Sequence, residues 1–412
     1  MTKRSAHPLP PGSTIGIMGG GQLGRMTALA AAQLGYKSHI FTPETDSPGA
    51  QVSAAATIAD YEDRDALKSF AQAVDVVTFE FENVPAESAE FLAEHALVRP
   101  GPNCLAIAQD RLKEKEFINN TAPTTPYRKV TSAEDLARAA DEIGRPAVLK
   151  TSRMGYDGKG QVLIAPDCDY AVAWEEMGAE VGILEAFVDL EREISVITAR
   201  SPHGGWATYP AVENRHVNHI LDTTLAPANL PGKMADDAIA IAHDLADALD
   251  LVGLLAVEMF VTRDGRILVN EMAPRPHNSG HWTMDACATS QFEQMVRAVC
   301  GLPLGSVECH HDAVMKNLIG DDVHAWPDLM AEAGHQRAGG LRRLGHRQHQ
   351  RRLGIGEQRL QRRRADGATE EVDTPDADAR LSELREVVVF VRREKELAEA
   401  KRRQMAAALY SG

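Results

Sequence analysis

The sequence predicts an α/β fold divided into several domains, and three local patterns carry that expectation. Near the start, the apolar run Thr14-Ile15-Gly16-Ile17-Met18 enters a glycine-rich turn and then an alanine-rich segment, the order of a βα unit. In the middle, residues 147–150 and 161–164 are strand-like runs on either side of a glycine-rich stretch. Later, two more strand-like runs flank Asp264-Gly265, the preferred pair for a two-residue hairpin turn. A chain of 412 residues with 44% apolar content has the length for two to four domains and the apolar material for their cores.

Composition removes several classes of function. No apolar stretch reaches the roughly 18 residues of a membrane span, and Met1-Thr2-Lys3-Arg4 is not followed by a signal-type apolar segment. We therefore expect no membrane partner and a cytoplasmic location. Five cysteines (Cys104, Cys168, Cys287, Cys300, Cys309) form an odd set without C-x-x-C spacing, which signals neither a disulfide framework nor a zinc site. The adjacent Cys309-His310-His311 cannot easily converge on one ion. Residues 1–334 hold 26 Lys and Arg against 47 Asp and Glu, a net −21, whereas 335–412 hold 18 against 12, a net +6. An acidic main body argues against nucleic acid, whose phosphates require a basic footprint.

Taken in order, the first element is the strand 14–18, followed by the glycine turn 19–24 and a helix over 25–34. Glycines there let backbone N–H groups and a helix N-terminus approach an anion. A second strand, 38–41, ends at Thr42-Pro43-Glu44 without an acidic partner for a ribose diol, which weakens a dinucleotide reading. The third strand runs into Glu80-Phe81-Glu82-Asn83, so Glu82 points into the same crevice as the glycine turn unless it caps a helix near Asn83. From residue 112 the pattern becomes helix, hairpin, helix. The segment 151–160 between its strands is a glycine-rich flap and not a P-loop; Lys150 and Lys159 could counter the charge of a triphosphate.

The second hairpin, 254–262 and 266–271, places Glu258 directly opposite Glu271 if its turn has two residues; a three-residue loop would break that register. Like charges opposite each other call for a compensating cation, and hard divalent ions take carboxylate oxygens. The exit from this hairpin, 270–282, crowds an amide, a carboxylate, a guanidinium and two imidazoles behind an apolar run, held extended by Pro274 and Pro276.

Four motifs, G-G-G-Q-L-G-R-M at 19–26, F-E-F-E-N-V-P at 79–85, G-Y-D-G-K-G-Q at 155–161 and N-E-M-A-P-R-P-H-N-S-G-H-W at 270–282, occur in an order and spacing that resembles the ATP-grasp superfamily. Within it, the N5-carboxyaminoimidazole ribonucleotide synthase family is the nearest match, over residues 14–330. The resemblance implies a Rossmann-like N-terminal domain (1–111), an ATP-grasp central domain of α+β type (112–305), and a small C-terminal lid. Residues 306–350 would be a remnant of that lid and 351–412 an atypical charged tail.

It further implies a homodimer that uses ATP with Mg2+, or Mn2+ in its place, to join bicarbonate to the amine of aminoimidazole ribonucleotide through carboxyphosphate. The implied ATP contacts are Arg111, Lys150, Gly155, Tyr156, Asp157, Gly158, Lys159, Gly160, Gln161, Glu185, Ala186, Phe187, Val188, Glu193, His216, Asn270 and Glu271. Residues 185–188 would face adenine and Glu193 the ribose, with Glu258 and Glu271 as metal ligands. Arg275 would hold bicarbonate and carboxyphosphate, while His277, Asn278 and Tyr156 orient bicarbonate and the imidazole ring. Gly21, Gln22 and Leu23 would bind the substrate phosphate, Glu82 its ribose, and Ser279 the substrate side of the loop. Arg342 and Arg343 match a basic stretch that touches phosphates; His281 and Trp282 read as structural.

The tail departs from the family pattern. Residues 335–364 contain ten arginines, no lysine and one acid, Glu357, and the strands expected around Arg342-Arg343 are not visible in the sequence. A basic arm for an acidic partner, a degenerate lid, and a change of reading frame near 335–350 are the three readings, of which we prefer the last. The final segment, 378–408, reads as helical and charged around an apolar patch at 387–391. Three other functions compete: a formate-using ribonucleotide formyltransferase with the same carboxylate pair and flap, an NAD-dependent oxidoreductase resting on G-x-G-x-x-G alone, and a nucleotide-binding protein whose lid is lost.

Overall fold

The computed structural model describes residues 7–153, 160–217, 219–310 and 312–319, with the two strands at 341–345 and 386–392. The first part alternates β1 (Thr14–Met18), α1 (Gln22–Gln33), β2 (Lys37–Thr42), β3 (Ala55–Ile58), α2 (Arg64–Gln72), β4 (Val76–Phe79), α3 (Ala86–His95) and α4 (Pro102–Ala108). Its strands form a parallel sheet in the order β3-β2-β1-β4. The near-continuous apolar run of β1 follows from this, because an inner parallel strand is covered on both faces. Since β1 and β4 are neighbours, the glycine turn after one and Glu80-Phe81-Glu82 after the other leave the sheet side by side, where ligands of open α/β sheets bind. Helix α1 begins at Gln22, three residues before the expected start, so its first turn lies inside the glycine motif.

The second part comprises α5 (Arg111–Asn119), β5 (Tyr127–Val130), α6 (Ala133–Ile143), β6 (Ala147–Thr151), β7 (Gln161–Ile164), α7 (Tyr170–Met177) and β8 (Gly182–Ala186). Its antiparallel sheet, ordered β5-β8-β6-β7, shares one apolar cluster with α6 and α7, including Leu136, Leu149, Ala173 and Leu184. The β6–β7 hairpin pairs Lys150 with Gln161. Its tip, 154–159, lies outside the described residues.

The third part is built from β9 (Leu190–Arg200), β10 (Trp206–Thr208), β11 (Val212–Val217), β12 (Ile220–Ala226), α8 (Gly232–Ala248), β13 (Gly253–Thr262), β14 (Ile267–Ala273), α9 (Thr283–Ala286), α10 (Gln291–Cys300), β15 (Ala313–Ile319), β16 (Leu341–Gly345) and β17 (Glu386–Arg392). A nine-stranded sheet runs β14-β13-β9-β11-β12-β15-β17-β16, with β10 on β9. Helix α8 buries Ala238, Ala242 and Leu245 in one cluster with Leu255 and Val257 of β13. A second cluster joins Met295, Val296 and Val299 of α10 to Met26 and Ala30 of α1, tying the first and third parts together.

Two expectations for the tail are corrected. Arg342 and Arg343 lie on a strand, β16, and the apolar patch at 387–391 is also a strand, β17, and not part of a helix. Its Val-Val-Val-Phe-Val run has the β-branched and aromatic character of a strand, and the open edge of β15 offers it parallel pairing while β16 pairs antiparallel. The expected frame change falls otherwise outside the described residues. Among those residues, no helix is long and apolar enough to cross a membrane.

Candidate active site

In the β13–β14 hairpin, two deviations cancel to set Glu258 opposite Glu271. The loop has three residues, not two. Arg263, Asp264 and Gly265 lie between Thr262 and Arg266, whose N–H and carbonyl bond at 2.9 Å, and Gly265 takes φ 82°. That left-handed position is the glycine of a three-residue hairpin. The ladder then pairs Phe260 with Leu268 and Met259 with Val269, one place out from the expected register. A bulge follows at Asn270, and beyond it Glu258 faces Glu271 and Val257 faces Met272.

Helix α5 grips this bulge. Asp110 caps the helix through the N–H groups of Leu112 and Lys113, and Arg111, Glu114 and Lys115, at i, i+3 and i+4, share a face. That face meets three consecutive residues of β14. Lys115 Nζ donates to the Asn270 carbonyl at 2.8 Å, Arg111 Nη1 donates to Glu271 Oε2 at 2.8 Å, and Met272 N–H donates to Glu114 Oε1 at 2.8 Å. Lys115 is also 3.6 Å from Glu185 Oε1, and Lys150 Nζ donates to Glu185 Oε2 at 2.8 Å. Burial opposes charge on Glu271, but Arg111 and then Lys150 outweigh it and hold its pKa at about 2. Burial and the Glu271 charge push Glu114 up to about 8.

Lys115→Met preserves side-chain bulk but removes the donor to the Asn270 carbonyl and a cation beside Glu185. Breaking a buried charged contact of this kind costs about 3 kcal/mol or more, so urea unfolding should show a loss of that order. A loss under about 1 kcal/mol would mean that the bulge persists without this lysine.

The loop after β14 carries a second set of groups. His277 Nε2 lies 3.1 Å from Glu258 Oε1, while its Nδ1 accepts from Ser279 N–H at 3.3 Å. The ring proton therefore sits on Nε2 and faces the carboxylate. Ser279 Oγ is 2.8 Å from the same Nδ1 and 2.8 Å from Ser195 Oγ. Asn214 Nδ2 donates to Ser195 Oγ at 2.9 Å, and Thr224 Oγ1 donates to Asn214 Oδ1 at 3.0 Å. Donors thus run one way, from Thr224 on β12 through β11 and β9 to His277, and the hydroxyl and amide links are buried. Asn270 Oδ1 and Asn278 Oδ1 are buried without a hydrogen-bond partner among the described residues, which marks them as acceptors with capacity for a ligand. His281 and Trp282 are buried, His281 against Gln291 and Phe292, and Trp282 edge-on to Tyr209.

On the first sheet, Glu80 closes part of the glycine turn. Its carboxylate accepts from the N–H groups of Gly21 and Gly24. A Cβ at Gly21 would lie 2.7 Å from Glu80 Oε1, and one at Gly24 2.9 Å from Oε2, so this turn needs glycine for the close approach of a carboxylate. Burial drives Glu80 up to about 7 against those two donors. Gly21 N–H is therefore engaged within the protein. Gln22 and Leu23 supply the other early N–H groups of α1. Glu82 meets Arg275 through both oxygens, Nε to Oε2 and Nη2 to Oε1, the latter at 2.8 Å. Burial opposes ionisation of Glu82, but Arg275 holds it below the usual carboxylate range. Arg275 also feels the charges of Glu271 and Glu258.

Of the residues expected on the nucleotide side, Lys150 and Glu185 form the buried pair above, while His216 Nδ1 lies 2.8 Å from Glu193 Oε2 on the adjoining strand. Phe187, just beyond β8, is 57% exposed. Gly160 and Gln161 lead into β7, but Gly155, Tyr156, Asp157, Gly158 and Lys159 lie outside the described residues. Arg342 and Arg343, on β16, belong to the edge of the large sheet opposite β14. Sequence reasoning missed Glu80, Glu114 and Lys115. Helical spacing from Arg111 could have found the last two, and Glu80 sits two places before Glu82 in the same motif. Ser195, Asn214 and Thr224 come from three separate strands and leave no local signal.

Comparison with known proteins identifies the family of the chain. The ATP-grasp domain family matches residues 115–292, and the ribonucleotide synthetase preATP-grasp domain family matches residues 13–109. The chain is 48% identical over 348 residues to the N5-carboxyaminoimidazole ribonucleotide synthase of Brucella melitensis biotype 1, covering 82% of this chain and 96% of that protein. It is also similar to a solved ADP complex of purK, an N5-carboxyaminoimidazole ribonucleotide synthetase, with 45% identity, a TM-score of 0.78, and coverage of 80% of this chain and 88% of that one. An Aspergillus clavatus N5-carboxyaminoimidazole synthase in complex with ADP and 5-aminoimidazole ribonucleotide matches at 27% identity and a TM-score of 0.73, over 79% of this chain and 88% of that one. Two adjoining domain matches and a relative aligned along nearly its whole length place the chain in the N5-carboxyaminoimidazole ribonucleotide synthase family of ATP-grasp ligases.

Proposed function

We propose that this chain carboxylates 5-aminoimidazole ribonucleotide with bicarbonate at the expense of ATP, yielding N5-carboxyaminoimidazole ribonucleotide, ADP and phosphate in purine biosynthesis. The observation that carries this reading is the opposed pair Glu258 and Glu271, with the unpartnered Asn270 Oδ1 beside it and the Arg275 fork close enough to feel both charges. Carboxylate and amide oxygens suit a hard divalent ion such as Mg2+. Each carboxylate uses one oxygen for a protein donor, Glu258 Oε1 for His277 and Glu271 Oε2 for Arg111, leaving the other for the ion. When bound, Mg2+ would neutralise charge on the transferring phosphoryl group.

Arg111 and Lys150 would draw the phosphates of ATP toward Glu271, and the glycine-rich segment 155–161, read from the sequence, would supply further contacts. Backbone groups of 185–188 would receive adenine, and Glu193, steadied by His216, the ribose. Bicarbonate oxygen attacks the γ-phosphorus, ADP departs, and carboxyphosphate forms. The substrate amine then takes the carboxyl group as phosphate leaves, and the proton it gives up goes to the departing phosphate. Arg275 keeps N–H groups on its Nη atoms beyond those given to Glu82 and Pro276, and these would hold the oxyanion. His277 and Asn278 would orient bicarbonate and the imidazole ring, and Ser279 acts through His277. The substrate phosphate would sit on the Gln22 and Leu23 N–H groups, since Glu80 occupies that of Gly21. The same reading extends to a cytoplasmic homodimer.

ADP release should require bicarbonate and aminoimidazole ribonucleotide together with Mg2+, in a coupled assay that omits each in turn. ADP release that needs formate and not bicarbonate would overturn the substrate assignment.

A further inference from the structure

Cys287 and Cys309 are 22 residues apart in the chain but meet across an isolated antiparallel bridge, with their sulfurs 2.9 Å apart. The bridge is held by Ala288 N–H to the Glu308 carbonyl and His310 N–H to the Ala286 carbonyl, both 2.8 Å. Those bonds flank the cysteines, which makes them a non-hydrogen-bonded pair. Such pairs bring Cα atoms to about 4.5 Å, inside the range that a disulfide spans. The backbone is thus already in place, and only a small side-chain rotation separates two thiols from a bond of about 2.0 Å. The other three cysteines, Cys104, Cys168 and Cys300, are not brought against another cysteine.

We propose that Cys287 and Cys309 form a reversible dithiol–disulfide site, oxidised by thiol exchange with a low-molecular-weight disulfide. Cys309, the more exposed of the two, attacks a sulfur of that disulfide and expels one thiolate. Cys287 then gives its proton to the departing group and attacks Cys309 Sγ, expelling the second thiol. Two protein thiols and one small disulfide become one protein disulfide and two small thiols. The contact between the two sulfurs lowers the Cys309 thiol, and the same contact together with burial raises Cys287. The bond would fasten the segment leading into β15 to the end of the active-site loop, between α9 and α10.

The test uses the full chain and oxidised glutathione, with no assay of turnover, so its outcome is independent of the ligase reading. After exposure and quenching in denaturant, two of the five thiols should be lost, and peptide mapping should show Cys287 joined to Cys309 with reversal by dithiothreitol. Cys287→Ser should instead stop at a stable glutathione adduct on Cys309, and Cys309→Ser should retain its remaining four thiols. Five intact thiols in the wild-type protein, adducts without the cross-link, or preferential loss of Cys104, Cys168 or Cys300 would overturn the proposal.

Discussion

Glu271→Gln is expected to abolish ADP formation while leaving the chain folded. Glutamine preserves shape and one oxygen, so the ladder partner of Glu258 is still present, but the charge that pairs with Arg111 and would complete the metal site is gone. Because the Glu271 pKa is held at about 2, the wild-type residue is ionised throughout any practical assay range, and lowering the pH does not mimic the variant. Stabilisation of phosphoryl transfer by a bound ion contributes several kcal/mol, so losing a ligand should lower turnover on the order of 10³-fold. Steady-state kinetics with titrated Mg2+ would read both the fall and a raised metal requirement. Retention of more than about a tenth of wild-type turnover at ordinary Mg2+ would remove Glu271 from the metal site.

Arg275→Lys should reduce turnover on the order of 10²-fold with little change in ATP affinity. The two-pronged contact with Glu82 fixes the guanidinium plane, and a lysine ammonium cannot span both oxygens while presenting further donors to an oxyanion. The substitution keeps a cation beside a buried carboxylate, so it avoids the larger cost of stranding Glu82. ATP affinity should persist because the cations proposed for the ATP phosphates, Arg111 and Lys150, pair with Glu271 and Glu185 and not with Glu82. Equilibrium binding of a non-hydrolysable ATP analogue, beside single-turnover kinetics, separates the two effects. Unchanged turnover would exclude Arg275 from the chemistry.

Much of this site was legible because its chemistry is concentrated in short motifs. The strand-turn-helix at 14–33, the flap strands and the dense segment 270–282 each announce themselves through glycine, proline or clustered polar groups. The opposition of Glu258 and Glu271 was also expected, yet for an incomplete reason: a two-residue turn was assumed where a three-residue loop and a bulge together restore the same facing. The bulge is fixed by Lys115, far away in sequence, and tertiary contacts of that kind have no local pattern. The relay behind His277 was hidden for the same reason, being assembled from single polar residues on β9, β11 and β12. At 387–391, the charged flanks suggested a helix, but the valines follow the strand preference once β15 and β16 supply partners.

The unpaired residues of this hairpin also set where related sequences can vary in length. The loop 263–265 and the bulged Asn270 lie outside the ladder, so losing one residue from either leaves Thr262 against Arg266 and Glu258 opposite Glu271. A shortened loop should therefore be nearly silent for the carboxylate pair. Loss of Asn270 should also keep the two acids opposed, but it removes the amide and the carbonyl that Lys115 holds. Length variation should accordingly gather at the loop and be rare at the bulge, although both positions are equally free of ladder pairing.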